Sequence, residues 1–383
     1  MPLPLRILHL HSSFDAGGKE LRAVRLMNLF GPGTAEPVEH TIVTAQPDAY
    51  GASSAVAPGI SVSYPRDFPA LAGSFSMGRL HALARAMAHH DLVLTYNWGA
   101  MDAVMAHTVF AKALTLPPLV HHEDGFNEDE AARLKPLRNW YRRIGLASAA
   151  GLIVPSLRLE GIALATWHQP RDRVRRIPNG IPTSAYTAKP RPNALPRVIK
   201  RPGERWVGTI AGLRAVKNLP RLVRAFATLG EEWQLVILGE GPERDAIRET
   251  AIALEVGHRV HLPGFVPDPA GVIGLFDLFA LSSDSEQFPI SVVEAMAAGL
   301  PVAAPAVGDV AAMVAPENAP FIVAPGSDTA LGEALCTLAA DAPLCARLGA
   351  ANRAKARAEY DEASMLAAYR AAYAEALGRA GFP

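Results

Sequence analysis

Short β-rich runs alternate with stretches of helical period along most of the chain, and this alternation repeats after a proline-rich interruption. Apolar runs at 5–9, 41–44, 92–95, 119–122, 152–154 and 174–177 are separated by helical patterns at 20–30, 79–89, 100–110, 133–150 and from 156 onward. Strands alternating with helices imply parallel strands joined by crossover helices. Residues 187–203 carry Pro190, Pro192, Pro196 and Pro202 with no period of either kind, which reads as an interdomain linker. The pattern then restarts, with strands at 206–211, 234–238, 260–262, 278–281, 302–304 and 321–323 and helices at 219–229, 244–254 and 290–298. The expected fold is α/β, two Rossmann-like domains spanning 1–187 and 204–361. The helical tail at about 362–383 packs across existing sheets instead of building a third domain. A chain of 383 residues has ample length for two such cores.

Charge narrows the function classes. Lys and Arg together number 37, as do Asp and Glu, so the net charge is zero. There is no global attraction to nucleic acid, and an anionic ligand must be held by local groups. Cys336 and Cys345 are the only cysteines, which disfavours a disulfide scaffold or a thiolate metal site. The run from Leu3 to Leu10 is too short and interrupted for a secretory signal, and no stretch of about 18 apolar residues occurs. A cytoplasmic protein is expected.

In open parallel sheets ligands bind beyond the carboxyl ends of the strands. The richest such loop follows the run at 278–281: Ser282-Ser283-Asp284-Ser285-Glu286, then Gln287-Phe288-Pro289-Ile290-Ser291. Pro289 suits a first helical turn. The amides of Phe288, Ile290 and Ser291 are then free for an anion, and the helix start carries partial positive charge. Glu294 lies eight residues after Glu286 inside an apolar run, where a buried acid needs a hydrogen-bonding partner such as a sugar diol. Gly17 and Gly18 open a helix after the first strand, and so allow close backbone approach to a ligand. Gly239-Glu240-Gly241 is followed by Arg244 where a dinucleotide fingerprint needs glycine, which disfavours a dehydrogenase.

The segment SEQFPISVVEAMAAGLPVAA at 285–304 resembles the Glu-x7-Glu signature of the retaining GT-B glycosyltransferases of family 4. GGKE at 17–20, IPNGIP at 177–182, GLRAVKNLPRLVRAF at 212–226, LGEGPERDAI at 238–247 and HLPGFVPD at 261–268 extend that resemblance in the expected order. It implies two domains facing a cleft, with the terminal helix crossing back to the first. It further implies that Glu286 touches donor-sugar hydroxyls and Glu294 the nucleotide ribose. By the same resemblance Phe288, Pro289 and Ile290 meet the donor phosphate and sugar, and Lys217 pairs with the diphosphate. Arg214 shares that loop, where Gly212 replaces the usual family arginine. Gly264, Phe265 and Val266 match the loop that holds the nucleobase, and the Gly17-Gly18 loop faces acceptor or donor phosphates. The family places a histidine near the end of the strand at 119–122, and here His121, His122 and Asp124 are the alternatives.

The implied activity is hexosyl transfer with retention from a nucleotide-diphosphate sugar to a glycan or lipid-linked acceptor, in cell-surface polysaccharide or glycolipid assembly. No Asp-x-Asp occurs, so no metal or other cofactor is expected. Arg133, Lys135, Arg138, Arg142 and Arg143 interleave with Leu134, Leu137, Trp140, Tyr141 and Ile144, a pattern suited to peripheral contact with anionic lipid at the inner face of a membrane. An epimerase or phosphorylase of the same architecture, or a non-catalytic sugar-nucleotide-binding protein, would carry similar loops.

Overall fold

The computed structural model describes residues 3–31, 36–126, 130 and 133–383. Contacts divide the chain into two compact units, one of Met1–Ile177 with Leu366–Pro383 and one of Pro178–Met365. The first contains strands β1 (Leu5–His11), β2 (Val38–Thr44), β3 (Ser61–Ser63), β4 (Leu92–Tyr96), β5 (Leu119–His122), β6 (Gly151–Val154) and β7 (Val174–Arg176). Helices α1 (Gly18–Leu29), α2 (Met77–Met87), α3 (Met101–Phe110), α4 (Pro136–Gly145) and α5 (Leu157–Ala165) connect them. The second contains β8 (Arg205–Ile210), β9 (Trp233–Leu238), β10 (Val260–Gly264), β11 (Leu278–Ala280), β12 (Val302–Pro305) and β13 (Ile322–Val323). Its helices are α6 (Leu219–Phe226), α7 (Arg244–Ala253), α8 (Ile290–Ala298), α9 (Val310–Met313), α10 (Asp328–Ala340) and α11 (Ala342–Glu359). Helix α12 (Glu362–Ala376) begins in the second unit and belongs to the first from Leu366 onward.

Both sheets are parallel, in the orders β3-β2-β1-β4-β5-β6-β7 and β10-β9-β8-β11-β12-β13. Continuous apolar strands suit sheets covered on both faces. Leu8, Leu10, Val93 and Leu119 are buried in the first sheet, and Val207, Leu235, Phe279 and Ala303 in the second. Each order reverses once, between β1 and β4 and between β8 and β11. At such switch points the loops after neighbouring strands diverge and leave room for a ligand. The loops after β1, β4, β8 and β11 are therefore the ones the topology exposes for binding.

Three expectations change. The helix expected over 133–150 is α4 alone, begun by Pro136 and followed by a tight turn over Leu146–Ser148. The edge strand β3 carries Ser61 and Ser63, and its alternation is too weak to announce itself. The proline-rich stretch lies within the second unit, where Tyr186 and Leu195 bury in a cluster with Trp206, Phe276 and Val292. Leu195→Ala is therefore expected to lower the unfolding free energy by about 2–5 kcal/mol, as for a buried leucine. Chemical denaturation checks this, and a change under about 0.5 kcal/mol, as at an unpacked surface position, would return the stretch to the status of a linker.

Candidate active site

In the second unit, the loop after β8 carries Lys217 and the loop after β11 carries Glu286. Lys217 Nζ lies 2.5 Å from Glu286 Oε1, and Ser283 Oγ donates to the same oxygen at 2.7 Å. Both charged side chains are largely covered, at 17% and 10% exposure. A carboxylate so placed requires such donors, because an unpaired buried charge is strongly unfavourable. Backbone contacts stitch the loops together: Ser282 Oγ donates to the Lys217 carbonyl, and the Asp284 amide donates to Val216. Asn218, in the left-handed region at φ 41°, accepts from the Arg221 amide to cap α6 and donates through Nδ2 to Asp284 at 3.1 Å. Arg221 joins Asp284 to Asp328.

Pro289 takes extended backbone just before α8, so Ile290 and Ser291 supply the first-turn amides, which have no intrahelical acceptor. Phe288 is buried edge-on against Tyr360, with ring centroids 5.5 Å apart. Gly308 sits beneath the loop at φ 56°, where a Cβ atom would come within 2.5 Å of the Glu286 carbonyl oxygen. Only glycine lets the chain after β12 support the loop this closely. Glu294 is buried on α8 and accepts from Tyr186 Oη at 3.0 Å. Burial pushes its carboxyl up to about 7, against the opposing hydrogen bond from Tyr186.

Gly264, at φ 103°, ends β10 and accepts through its carbonyl from the Gly239 amide at 2.9 Å. Phe265 projects with 67% exposure, and Val266 packs against the core. Arg214 is exposed on the loop that ends in Lys217. Among the residues expected from sequence in this unit, the fold brings Lys217 and Glu286 into direct contact and places Glu294 one helix along, paired instead with Tyr186.

In the first unit Gly17 caps α1 in extended backbone, and nothing lies within 4 Å of where a Cβ at Gly18 would be. The three alternatives on β5 part company. His121 bonds to Thr95 Oγ1 at 2.8 Å and is fully buried. His122 is buried on the other face, stacked on Tyr96 at 4.6 Å, with Nε2 2.9 Å from Tyr373 Oη and Nδ1 3.2 Å from the Thr95 carbonyl. Burial, reinforced by the charge of Arg22, drives its imidazole down to about 3, so the ring is neutral. Asp124 lies past the strand end and is clasped by both terminal nitrogens of Arg22, with Nη2 to Oδ2 at 2.9 Å. Burial raises its carboxyl, but the charge and hydrogen bonds of Arg22 outweigh that and hold it below the ordinary carboxylate range. The Asp124 amide donates to Asn97 Oδ1 at 2.7 Å, and Asn97 adopts φ 54° and ψ −170°. A conformation this rare for a residue with a side chain marks the loop after β4 as held under constraint.

Arg22, Asn97, Tyr186 and Gly308 were not legible as site residues: Tyr186 lay beside the supposed linker, and the others owe their roles to contacts between distant loops. Ser283 lies in the loop already singled out, but its bond to Glu286 is visible only in the structure. Among the described residues, no three His, Cys, Asp or Glu side chains gather as a cation-ligand set, and no single helix is long and apolar enough to cross a membrane.

The sequence profile described as Glycosyl transferases group 1 matches residues 192–355, and that described as Glycosyltransferase Family 4 matches residues 33–185. A D-inositol 3-phosphate glycosyltransferase of Xylanimonas cellulosilytica is 30% identical, over 95% of this chain and 93% of its own length. Anabaena HepE, solved in complex with UDP, superposes with a TM-score of 0.77 at 18% identity, over 97% of this chain and all of that one. In complex with UDP-glucose it superposes at 0.71, with 18% identity, over 95% and 97%. The chain belongs to the family 4 glycosyltransferases of GT-B fold, enzymes that use nucleotide-sugar donors.

The position of Glu294 gives a pH test. Its folded value near 7 exceeds the ordinary 4.5, so its contribution is fully present below about pH 4.5 and is lost as pH rises through 7. Glu294→Gln removes that loss. Its stability relative to wild type is expected to climb between pH 5 and pH 8, by on the order of 3 kcal/mol at most. Thermal unfolding across that range checks this, and a pH-independent difference would contradict it.

Proposed function

We propose that this protein is a retaining, metal-independent hexosyltransferase. It would move a sugar from a uridine-diphosphate donor to a glycan or lipid-linked acceptor in the assembly of cell-surface polysaccharide or glycolipid. The observation that carries the reading is the Lys217–Glu286 pair beside the first-turn amides of α8, with Glu294 buried further along the same helix. Lys217 and those amides supply a compact positive field for a diphosphate. Glu286, already accepting from Ser283, has remaining lone pairs for hydroxyls of the donor sugar. Glu294 and Tyr186 would hold the ribose diol. Gly264, Phe265 and Val266 would hold the base, with Arg214 free to swing onto the outer phosphate.

In the reaction, the bond from sugar C1 to the phosphate oxygen breaks with its electron pair leaving on that oxygen. The acceptor oxygen bonds to C1 from the same face, and the acceptor proton passes to the departing phosphate. Lys217 offsets the charge that grows there, a contribution made chiefly in the transition state. No protein nucleophile takes part. The Gly17-Gly18 loop and the carboxylate of Asp124 would line the acceptor side, with neutral His122 as its buried support. That positive charge comes from side chain and helix terminus favours chemistry without a divalent cation. The UDP and UDP-glucose held by Anabaena HepE favour a uridine nucleotide.

Helix α4 supports a lipid-linked acceptor. Leu137, Trp140 and Ile144 are 86%, 64% and 43% exposed at helical spacing, beside exposed Arg133, Lys135 and Arg143. Arg142 takes no part in the expected basic face, being fully buried in ion pairs with Glu123 and Glu130, and Arg138 pairs with Glu130; the remaining apolar stripe edged with cations suits adsorption to anionic lipid.

Two measurements test the reading. Lys217→Ala and Glu294→Ala are each expected to cut UDP release from UDP-glucose at least tenfold in the presence of acceptor extract, about 1.4 kcal/mol or more. Wild-type rates in both would refute the site. Sedimentation with phosphatidylglycerol vesicles at low salt should capture the protein, and Trp140→Glu should weaken capture at least fivefold. Absence of binding by wild type would remove the membrane contact.

A further inference from the structure

A row of polar side chains crosses the first sheet: His40 on β2, His9 on β1, Tyr96 on β4 and His122 on β5, with Tyr373 of α12 against it. All five are buried. Polar groups in such a place are costly unless each donor meets an acceptor, and here the contacts form one chain. His40 Nδ1 lies 2.9 Å from His9 Nε2, and His9 Nδ1 lies 3.2 Å from Tyr96 Oη. The side chains of Tyr96 and Tyr373 bond to each other. Tyr373 Oη lies 2.9 Å from His122 Nε2, and His122 Nδ1 lies 3.2 Å from the Thr95 carbonyl.

The last acceptor sets the direction of every bond before it. A carbonyl only accepts, so His122 Nδ1 carries the proton. Burial keeps that ring neutral, so its Nε2 is bare and accepts from Tyr373. Tyr373, having given its proton, accepts from Tyr96; Tyr96 accepts from His9 Nδ1, and His9 Nε2 accepts from His40 Nδ1. Each donor and acceptor is used once, and links directed in this way strengthen one another in dry surroundings. His107 is the opposite case: its Nε2 meets the Pro117 carbonyl at 2.9 Å, so that ring is protonated on Nε2. The His122 backbone leads on to Asp124. Its carbonyl accepts from the Asn97 amide at 2.8 Å, and Asn97 Oδ1 accepts from the Asp124 amide at 2.7 Å. Moving the His122 proton to Nε2 would set a bare nitrogen against the Thr95 carbonyl and leave Tyr373 facing a donor.

We propose that Tyr373 is a positioning residue for sugar transfer, its hydroxyl fixing His122 in the form protonated on Nδ1 and so holding the end of β5 from which Asp124 extends. The inference rests on the transferase reading and adds to it a residue of the terminal helix. Long-range proton–nitrogen NMR of the whole chain, with isotope-labelled histidine, reads the tautomer without turnover. His122 and His9 should show a protonated Nδ1 and a bare Nε2, and His107 the reverse. In Tyr373→Phe the His122 Nε2 resonance should move toward that of an unbonded ring nitrogen. In the same variant the rate of UDP release from saturating UDP-glucose with acceptor extract should fall at least fivefold, while KM for UDP-glucose stays within twofold of wild type. Tyr369→Phe, one turn away on α12, removes a buried hydroxyl that has no partner and should leave both readouts unchanged. A wild-type His122 protonated on Nε2 overturns the proposal even if Tyr373→Phe does not fold. An unmoved resonance or a wild-type rate in Tyr373→Phe, or an equal loss in Tyr369→Phe, overturns it too. Absence of UDP release from wild type would strike the donor reading instead, and the ring resonances would still decide the tautomer.

Discussion

A largely covered carboxylate and ammonium in contact, Glu286 and Lys217, set the terms for the second unit. Neither charge is tolerable alone in so dry a place, because desolvation is compensated only by close partners with good geometry. That requirement ties two loops from opposite sides of the sheet's switch point into one structure. Ser282, Asp284 and Asn218 reinforce the tie with contacts of their own. Gly308 lets the chain after β12 pass beneath with no side chain in the way. In the proposed function, an anionic ligand arriving at α8 would compete with Glu286 for Lys217, and the displaced carboxylate would become available to hydroxyl groups carried by the same ligand.

Burial is used differently a few residues along. Glu294 is held by one neutral donor, Tyr186, and its proton is retained to near neutrality. An acid in that state can both donate and accept a hydrogen bond. In the first unit the sign is reversed at Asp124, where Arg22 keeps the carboxylate ionised despite burial. Environment, more than residue type, assigns the three acids their chemistry.

Much of this was legible in the chain. The alternation of strand and helix gave two parallel sheets, and the Glu286–Glu294 spacing with its following proline located a helix start with an acid before it and one within. What was not legible depended on contacts far apart in sequence. Whether His121, His122 or Asp124 faces the open could not be read from alternation alone, since both faces of a central parallel strand are buried. The structure engages both histidines internally, His121 with Thr95 and His122 with Tyr373. Asn97 gives no sign in sequence of its left-handed backbone or of the hydrogen bond its side chain accepts from the Asp124 amide. The prolines at 190–202 looked like a linker because their apolar neighbours follow no period, yet Leu195 finds the core from irregular chain and Tyr186, just before them, from a short 3-10 turn over Thr183–Thr187.

In the proposed function, Lys217 and the opening amides of α8 would grip a diphosphate to which Glu286 gives way. The most direct test is a high-resolution structure of the protein with UDP. Phosphate oxygens are expected within hydrogen-bond distance of Lys217 Nζ and of the Ile290 and Ser291 amides, with Glu286 released from the lysine. A diphosphate bound elsewhere, with the 2.5 Å pair intact, would contradict it.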